Sequence, residues 1–387
     1  MSESPTSDSP VNASQMDDGP ILLTPGPLTT RLSTRQAMLR DWGSRDKAFI
    51  ALTGELRARL LMVANGAETH AAVPLQGSGT FIVEAAIASL VRKGERLLVL
   101  INGAYGQRIL NIARRYGLDA IALHWPEDQP VDPERVDEAL DADPAIAHVA
   151  LVHCETTTGL LNPLEEIAAV VERRGRRLIL DAMSSFGALP IDLKATPMAA
   201  VLASSNKCLE GAPGLGFALI DRHVLGSCTN VSPSLSLDLH AQHHGFETDG
   251  QWRFTPPVQV VAALVAALRT LEHEGGPAAR LKRYQENFDV MAAGMARLGF
   301  PLYLDPALQA PIIATFYPRP GHPFHFERLY NGLADRGFLI YPGKLTERET
   351  FRIGCIGDLH RADFERLLEA VEQVVAEDPG LTSDPIQ

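Results

Sequence analysis

Short apolar runs alternate with helix-like segments from residue 72 to residue 181. The runs that indicate buried strands lie at 72–76, 96–101, 119–123, 147–153 and 177–181. The segments that indicate helices lie at 81–91, 107–116, 132–140 and 164–173. A strand, a helix and a further parallel strand form a right-handed crossover, and successive crossovers place helices on both faces of one sheet. The alternation therefore predicts an α/β fold with a mostly parallel sheet between helices.

A single lysine lies on a turn between two further apolar runs. Ser205, Asn206 and Lys207 come shortly after the run 199–203, and a turn rich in Gly and Pro then leads into the run 216–220. A lysine that is held between buried strands is suited to form a Schiff base with an aldehyde. Taken alone, a lysine on a turn indicates an ordinary surface position. A second group is needed to support the chemical interpretation.

Asp181 supplies that second group. It ends the apolar run 177–181, and the C-terminal ends of parallel strands border the crevice in which open α/β sheets bind ligands. A carboxylate there can keep a pyridine nitrogen protonated, which the ring of pyridoxal 5′-phosphate (PLP) needs to act as an electron sink. Alone, Asp181 could instead cap the following turn. An aspartate at a strand end, followed by Lys207 on the next turn, indicates PLP as the cofactor.

A glycine turn between the first predicted strand and the first predicted helix is a candidate phosphate site. Ser78, Gly79 and Thr80 lie at this turn, where free N–H groups and the helix dipole favour an anion. The segment is neither a dinucleotide fingerprint nor a P-loop. Ser78 or Thr80 could also be a plain helix cap. With Asp181 and Lys207 in the same chain, we interpret the turn as the cup for the cofactor phosphate.

Together these motifs resemble those of the class V aminotransferases, which are fold-type I PLP enzymes. The matching segments lie at 23–27, 76–80, 102–106, 181–187, 205–208, 254–257 and 351–354. Within the class, the chain is most similar to the transaminases that act on 2-aminoethylphosphonate and pyruvate. The resemblance implies a large PLP domain, a small C-terminal domain, and transfer of an amino group to pyruvate. The implied products are phosphonoacetaldehyde and L-alanine.

The resemblance also implies roles for five further residues. Tyr105 would stack on the PLP ring, and Ser205 would contact the cofactor. One of Thr156, Thr157 and Thr158, of which we favour Thr157, would lie on the side of the 3′-oxygen of PLP. Thr255 would reach across the interface of a homodimer with shared active sites, to the phosphate of the neighbouring cofactor. Arg352, a lone arginine on a short apolar strand, would bind the acidic group of the substrate. Tyr105 could instead pack a loop, and Arg352 could extend into solvent from an edge strand.

For two charged residues, the sequence does not decide whether the side chain points toward the active site. Arg45 is a second candidate for the anionic group of the substrate, but it could equally pair with Asp41 or Asp46. Glu210 departs from the resemblance, which implies a neutral amide at this position. A carboxylate that pointed inward would repel a phosphonate, so we expect Glu210 to face solvent.

Other functions share these motifs. The chain could be an alanine– or serine–glyoxylate/pyruvate aminotransferase, or an ammonia-lyase that acts on an aminophosphonate. A sulfur-transfer enzyme of the same class would use Cys208 or Cys355 as a mobile nucleophile. A non-catalytic binding protein with this fold is disfavoured because Lys207, Asp181 and Arg352 are all present.

The composition limits the partners of the chain. A formal net charge of −12 argues against nucleic acid, so an anionic substrate must meet locally placed arginines. The chain has four cysteines, which lack CxxC spacing, and no signal-peptide pattern, which together favour the cytoplasm. No apolar run reaches the ~20 residues of a membrane span. His240, His243 and His244 lack the partners of a usual zinc site, so no metal is predicted.

The same patterns predict the domain organisation. Residues 1–19, rich in Ser, Asp and Pro, predict a disordered leader. Residues 20–275 predict the large PLP-binding domain, whose N-terminal segment lies at the mouth of the active site. Residues 276–376 predict a small α+β domain, and residues 377–387 predict a tail.

Overall fold

A seven-stranded sheet lies at the centre of the computed structural model, which describes residues 19–321, 324–343 and 349–377. Its strands, in spatial order, are β2 (His70–Gln76), β10 (Leu215–Asp221), β9 (Ala200–Ser204), β8 (Arg177–Asp181), β5 (Ile146–Val152), β3 (Arg96–Ile101) and β4 (Asp119–His124). All run in one direction except β10, which is antiparallel to both neighbours. The predicted α/β fold with a mostly parallel sheet is thus confirmed.

The connection between β9 and β10 explains the reversed strand. Residues 205–214 join the two strands without a helix, and only antiparallel neighbours can be joined by so short a segment. At the edge of the sheet, β2 accommodates Pro74, which has no N–H to donate to a second neighbour. Lys207 therefore lies on the reversal, at the edge where β2, β3, β5, β8 and β9 all end.

Helices cover both faces of the sheet. Along β3, Leu98 and Leu100 pack into the core on one face, and Leu97 and Val99 pack into the core on the other. This alternation is the two-residue period of a strand. The first face carries α2 (Lys47–Val63), α5 (Pro133–Ala142), α6 (Leu164–Arg173) and α9 (Val258–Glu274). The second face carries α3 (Gly79–Leu90), α4 (Ala104–Arg115) and α8 (Leu239–Asp249).

The C-terminal part of the chain builds a separate core around a three-stranded antiparallel sheet. Its elements are α10 (Pro277–Arg297), β11 (Ile313–Phe316), α11 (Phe326–Ala334), β13 (Tyr341–Pro342), β14 (Phe351–Gly354) and α12 (Arg361–Glu377). The ring of Phe351 packs against those of Phe300, Phe316 and Phe324. The first strand, β1 (Ile21–Leu22), pairs in parallel with β12 (Phe338–Leu339), which attaches the N-terminal segment to this part.

Short elements complete the fold, and some of them differ from the sequence prediction. These elements are α1 (Leu32–Gln36), α7 (Arg222–Gly226) and the hairpin of β6 (Cys154–Glu155) with β7 (Leu160–Leu161). No helix was predicted in 221–250, yet α7 and α8 lie there because two aspartates cap them. Asp221 accepts hydrogen bonds from the N–H groups of His223 and Val224, and Asp238 accepts one from Ala241.

Three predictions on the extent of the fold have different outcomes. The predicted leader and tail lie outside the described residues except at their inner ends, and the domain boundaries stay predictions. Within the described ranges, no helix is long and apolar enough to cross a membrane.

Candidate active site

A cavity of about 180 Å³ lies at the carboxyl edge of the sheet. Six residues that the sequence singled out line it, namely Ser78, Gly79, Thr80, Tyr105, Asp181 and Lys207. They come from the ends of β2, β3, β8 and β9 and from the helices that follow β2 and β3. Because these strands are parallel, segments far apart in the chain meet at one edge.

The first turn of α3 forms one wall of the cavity. Ser78 is the N-cap residue, but its side chain makes no capping hydrogen bond with the helix. Arg108 of α4 donates from Nη1 to Thr80 Oγ1 over 3.1 Å, and its guanidinium lies 4.9 Å from the centre of the Tyr105 ring. Helix N–H groups and a guanidinium thus face the same space, which favours a bound anion.

Arg108 was missed in the sequence analysis. It lies three residues after Tyr105, so the two side chains share one face of α4. That spacing could have identified it, because Tyr105 was already a candidate. The guanidinium adds positive charge to a wall that the sequence described by backbone groups alone.

Asp181 ends β8 with its carboxyl buried, at 5% exposure. Its Oδ1 accepts a hydrogen bond from the N–H of Met183 over 3.0 Å, and no bond to a described residue uses Oδ2. Burial raises the pKa of Asp181 to about 6, while the Met183 N–H and the positive charges of Arg108 and Lys207 act in the opposite direction. A cation placed against Oδ2 would stabilise the carboxylate further.

Lys207 points its amino group toward the N-terminal segment. Its Nζ donates to the carbonyl oxygen of Pro25 over 2.5 Å. The turn that carries it is closed by its own hydrogen bonds: Glu210 N–H donates to Lys207 O over 2.8 Å, and the Ser205 hydroxyl donates to Ala212 O. Ser205 is fully buried and uses its proton within the turn, so it shapes the turn rather than lining the cavity.

Glu155 is a second residue that the sequence analysis missed. Its buried carboxylate accepts hydrogen bonds from the N–H of Gly106 over 3.0 Å and from the hydroxyl of Thr157 over 3.1 Å. It therefore joins the start of α4, where Tyr105 lies, to the segment that carries Thr157. Burial and the nearby charge of Asp181 together raise the pKa of Glu155 to about 7, while the hydrogen bonds from Gly106 and Thr157 act in the opposite direction. The available signal was an acid two residues after a predicted buried strand, next to the threonines at 156–158.

Arg352 lies in β14, beside the same segment. It is 3% exposed, and it donates from Nη1 to Thr156 O over 2.7 Å and from Nε to Pro342 O over 3.0 Å. No bond to a described residue uses Nη2. Burial lowers the pKa of Arg352, while Tyr105 and Tyr341 raise it, and a guanidinium remains charged throughout the physiological range.

The remaining predicted residues lie outside the cavity. Arg45 is exposed on the turn before α2, and Thr255 is exposed just before α9. The expectation for Glu210 was wrong: its side chain does not face solvent but is buried, at 2% exposure, against Arg283 and Tyr284 of α10. The positive charges on α10 stabilise the carboxylate there, which the sequence around residue 210 could not reveal.

The fold and this site define a class of protein. A family model described as aminotransferase class-V matches residues 33–344. The chain belongs to this family and is an aminotransferase. Enzymes of this class use PLP, and the cavity fits that cofactor: one lysine, one buried carboxylate with an oxygen to spare, and an anion-binding helix start all face one space.

Particular relatives are closely similar over nearly the whole chain. The 2-aminoethylphosphonate–pyruvate transaminase of Pseudomonas entomophila is 51% identical over 362 residues, which are 94% of this chain and 98% of that protein. The 2-aminoethylphosphonate–pyruvate transaminase 2 of Burkholderia lata is 54% identical over 352 residues, 91% of this chain and 94% of that one. The crystal structure of alanine–glyoxylate aminotransferase from Nostoc sp. has a TM-score of 0.86 at 26% identity and covers 96% of this chain and 98% of that chain.

Proposed function

We propose that this enzyme transfers the amino group of 2-aminoethylphosphonate to pyruvate, giving phosphonoacetaldehyde and L-alanine. The observation that carries the proposal is the meeting of Lys207 and Asp181 in one cavity, with the buried Arg352 close by. The relatives at 51% and 54% identity support the choice of substrates, since both are named for this reaction. The donor gives up its amine and becomes an aldehyde, and the keto acid gains that amine.

Bound PLP supplies an electron sink that lets the carbon next to the amine lose a proton. Lys207 would hold the cofactor covalently through Nζ. The same Nζ would also be the base that takes the proton from the carbon bearing the amine of the donor. In this structure Nζ contacts Pro25 O, at 2.5 Å, which places the amine against the N-terminal segment.

Asp181 and the start of α3 would bind the two ends of the cofactor. The Asp181 carboxylate would face the ring nitrogen of the cofactor and keep that nitrogen protonated. Ser78, Gly79, Thr80 and Arg108 would hold the phosphate. Tyr105 would cover one face of the ring, and Glu155 would keep Tyr105 and Thr157 in position.

Arg352 would bind the phosphonate of the donor and then the carboxylate of pyruvate. A planar guanidinium can make paired hydrogen bonds to either group, and Nη2 is the nitrogen that no described residue engages. Arg45 is the second candidate for the phosphonate. Its exposure means that it would have to contact the donor near the entrance.

We also propose the homodimer with shared active sites that the resemblance implies. Phe254 is 46% exposed, and Thr255, next to it, is exposed as well. An exposed aromatic beside the residue that is expected to reach the partner's cofactor supports this arrangement. A location in the cytoplasm stays a prediction, which the four free, buried cysteines favour.

A two-step titration of the purified holoenzyme tests the proposed reaction. Addition of 2-aminoethylphosphonate alone should change the cofactor absorbance once per active site, and pyruvate should reverse the change while alanine appears. Conversion by alanine or serine but not by the phosphonate would keep the aminotransferase and discard the substrate. Ammonia release without a need for pyruvate would indicate a lyase.

The variant Lys207→Ala tests the role of the lysine in the same assay. Loss of general base catalysis alone should lower the rate by about 10²–10⁴-fold. The control is Lys194→Ala, since Lys194 is a 63% exposed lysine that pairs with Glu68 on the surface. Turnover by Lys207→Ala at a rate near that of the wild type would refute the assignment.

A further inference from the structure

A buried cluster of charged side chains lies behind the turn that carries Lys207. At its centre, Glu210 Oε1 accepts hydrogen bonds from Arg283 Nη2 over 2.8 Å and from the Tyr284 hydroxyl over 2.7 Å. Arg280 is fully buried, and its Nη2 lies 3.5 Å from Glu210 Oε2. Nothing in the proposed reaction uses this cluster.

The charges of the cluster balance. Arg280 and Arg283 face Glu210 from α10, and Glu274 at the end of α9 meets both arginines, at 2.7 Å and 2.8 Å. Two carboxylates and two guanidiniums thus form one neutral group. Removal of one member of such a group leaves a buried charge without its partner, which is costly. The cluster therefore holds the lysine turn, the end of α9 and the first part of α10 in one fixed arrangement.

The cluster is hydrogen-bonded to the backbone of the lysine turn. Arg280 Nη1 donates to the carbonyl oxygen of Cys208 over 2.8 Å, and Glu210 N–H donates to the carbonyl oxygen of Lys207 over 2.8 Å. Hydrogen bonds therefore fix the backbone carbonyls of both Lys207 and Cys208. Glu210 itself has a φ of 58°, a left-handed conformation that a glutamate adopts at some cost. The contacts of its side chain offset that cost.

The cluster is also hydrogen-bonded to the backbone of the segment after Arg352. Arg283 Nη1 donates to the carbonyl oxygens of Gly357 over 2.6 Å and of Leu359 over 3.1 Å. These residues follow β14, the strand of Arg352. One guanidinium thus contacts Glu210 with one nitrogen and the backbone beyond Arg352 with another. It links the two sides of the active site.

We propose that Glu210 is a positioning residue that fixes the distance between Lys207 and Arg352. A donor with an amine at one end and an acidic group at the other must reach both at once. The cluster sets their separation, so it favours donors of the right length over amines that contact Lys207 alone. This inference rests on the proposed role of Arg352.

The test compares two amine donors in the variant Glu210→Gln. The first is 2-aminoethylphosphonate, and the second is ethylamine, which has no acidic group to contact Arg352. Their rates are measured as single-turnover changes in cofactor absorbance. Loss of the charge should slow the phosphonate donor by about tenfold or more, the equivalent of one charge-assisted hydrogen bond. The rate with ethylamine should stay within about twofold.

A general loss of structure would slow both donors equally, and that result would overturn the proposal. Equal rates in variant and wild type would also overturn it. A failure of the proposed function looks different, because the wild type itself would then show no preference for the phosphonate donor over ethylamine. The matched control is Glu286→Gln, which removes an exposed carboxylate from the same helix.

Hydrogen exchange of the cofactor-free protein supplies a second readout that does not depend on activity. In Glu210→Gln, the amides of the lysine turn (205–211) and those of the segment 355–360 should both exchange faster, while β3 keeps the wild-type rate. Faster exchange in the turn alone would show that the two sides are not coupled. If Glu210→Gln does not fold, Arg283→Lys serves in its place, since a lysine cannot contact both sides with separate nitrogens.

Discussion

Glu155 shows at the scale of one residue how burial sets the charge of the site. The pKa of this carboxyl, raised to about 7 by burial, lies above the ordinary value of a glutamate in an unfolded chain. Between the two values the folded protein binds a proton that the unfolded chain does not. Stability attributable to Glu155 is therefore present at low pH, falls as the pH rises through this window, and is lowest above pH 7.

The variant Glu155→Gln tests whether the contribution of Glu155 to stability falls as the pH rises. Its carboxamide cannot ionise, so the variant should gain stability relative to the wild type as the pH rises from 5 to about 8, by on the order of 3 kcal/mol. Urea unfolding of the cofactor-free proteins at several pH values measures the difference. The control Glu138→Gln, at an exposed site on α5, should show a constant difference. A constant difference for Glu155→Gln would show that the carboxyl is charged throughout.

Which single residues the sequence reveals depends on where their partners lie. Lys207 and Asp181 were found because Asp181 ends one apolar strand and Lys207 follows another, and parallel strands bring such ends together at one edge of the sheet. The burial of Glu210 was not foreseen, because its partners Arg280 and Arg283 lie 70 or more positions further along the chain. A local pattern cannot show a charge pair between distant segments.

At the scale of elements, the start of α4 depends on a glycine. A Cβ atom on Gly103 would lie 2.5 Å from Cδ of Glu155, well inside contact distance. Gly103→Ala should therefore push the Glu155 carboxyl away from the N–H of Gly106 and cost about 1–3 kcal/mol of stability. The cost should shrink in a Glu155→Ala background, where the space is open. An equal cost in both backgrounds would mean that the clash does not involve Glu155.

A matched substitution inside a helix should act in the opposite direction. Gly54 lies within α2, and a Cβ atom placed on it would meet nothing within 4 Å. Gly54→Ala should stabilise the protein by about 0.5–1 kcal/mol, because alanine loses less conformational freedom in a helix. Thermal unfolding of Gly103→Ala and Gly54→Ala in one buffer compares the two. It separates the cost of the clash at Gly103 from the general effect of replacing a glycine by an alanine.

The elements themselves follow from the sequence where periodicity is strong. The bounds of β3 and of α6 agree with the prediction at both ends, since apolar strands and amphipathic helices have distinct repeats. Helix α8 was missed because its histidines and polar residues carry no clear apolar stripe, and only the cap at Asp238 marks its start. Pairing between β1 and β12 joins positions more than 300 residues apart, and no local pattern predicts it.

At the scale of the whole molecule, an apolar groove lies open on the surface of the part of the chain that the structure describes. A cavity of about 300 Å³ opens between Phe81, Leu235 and Phe254, which are 53%, 75% and 46% exposed. Phe81 belongs to the first turn of α3, directly after the residues proposed to hold the cofactor phosphate. A second copy of the chain that covered this groove would bring the exposed Thr255 of each subunit toward the residues that we propose hold the other's cofactor phosphate, which is the arrangement of the proposed homodimer.

The variant Leu235→Glu tests whether this groove is the subunit interface. The groove is lined mostly by apolar side chains, so a carboxylate at position 235 would lose its water when a partner covered it, and the dissociation constant of the dimer should rise by about tenfold or more. Sedimentation velocity at low micromolar concentration should then show monomers, with transaminase activity that falls on dilution because each site lacks its neighbour. Met62→Glu is the control, since Met62 is 57% exposed on α2, away from the groove, and should leave both properties unchanged. A dimer of wild-type strength in Leu235→Glu would move the interface elsewhere on the molecule, and Thr255 would then have no route to a neighbouring cofactor through this groove.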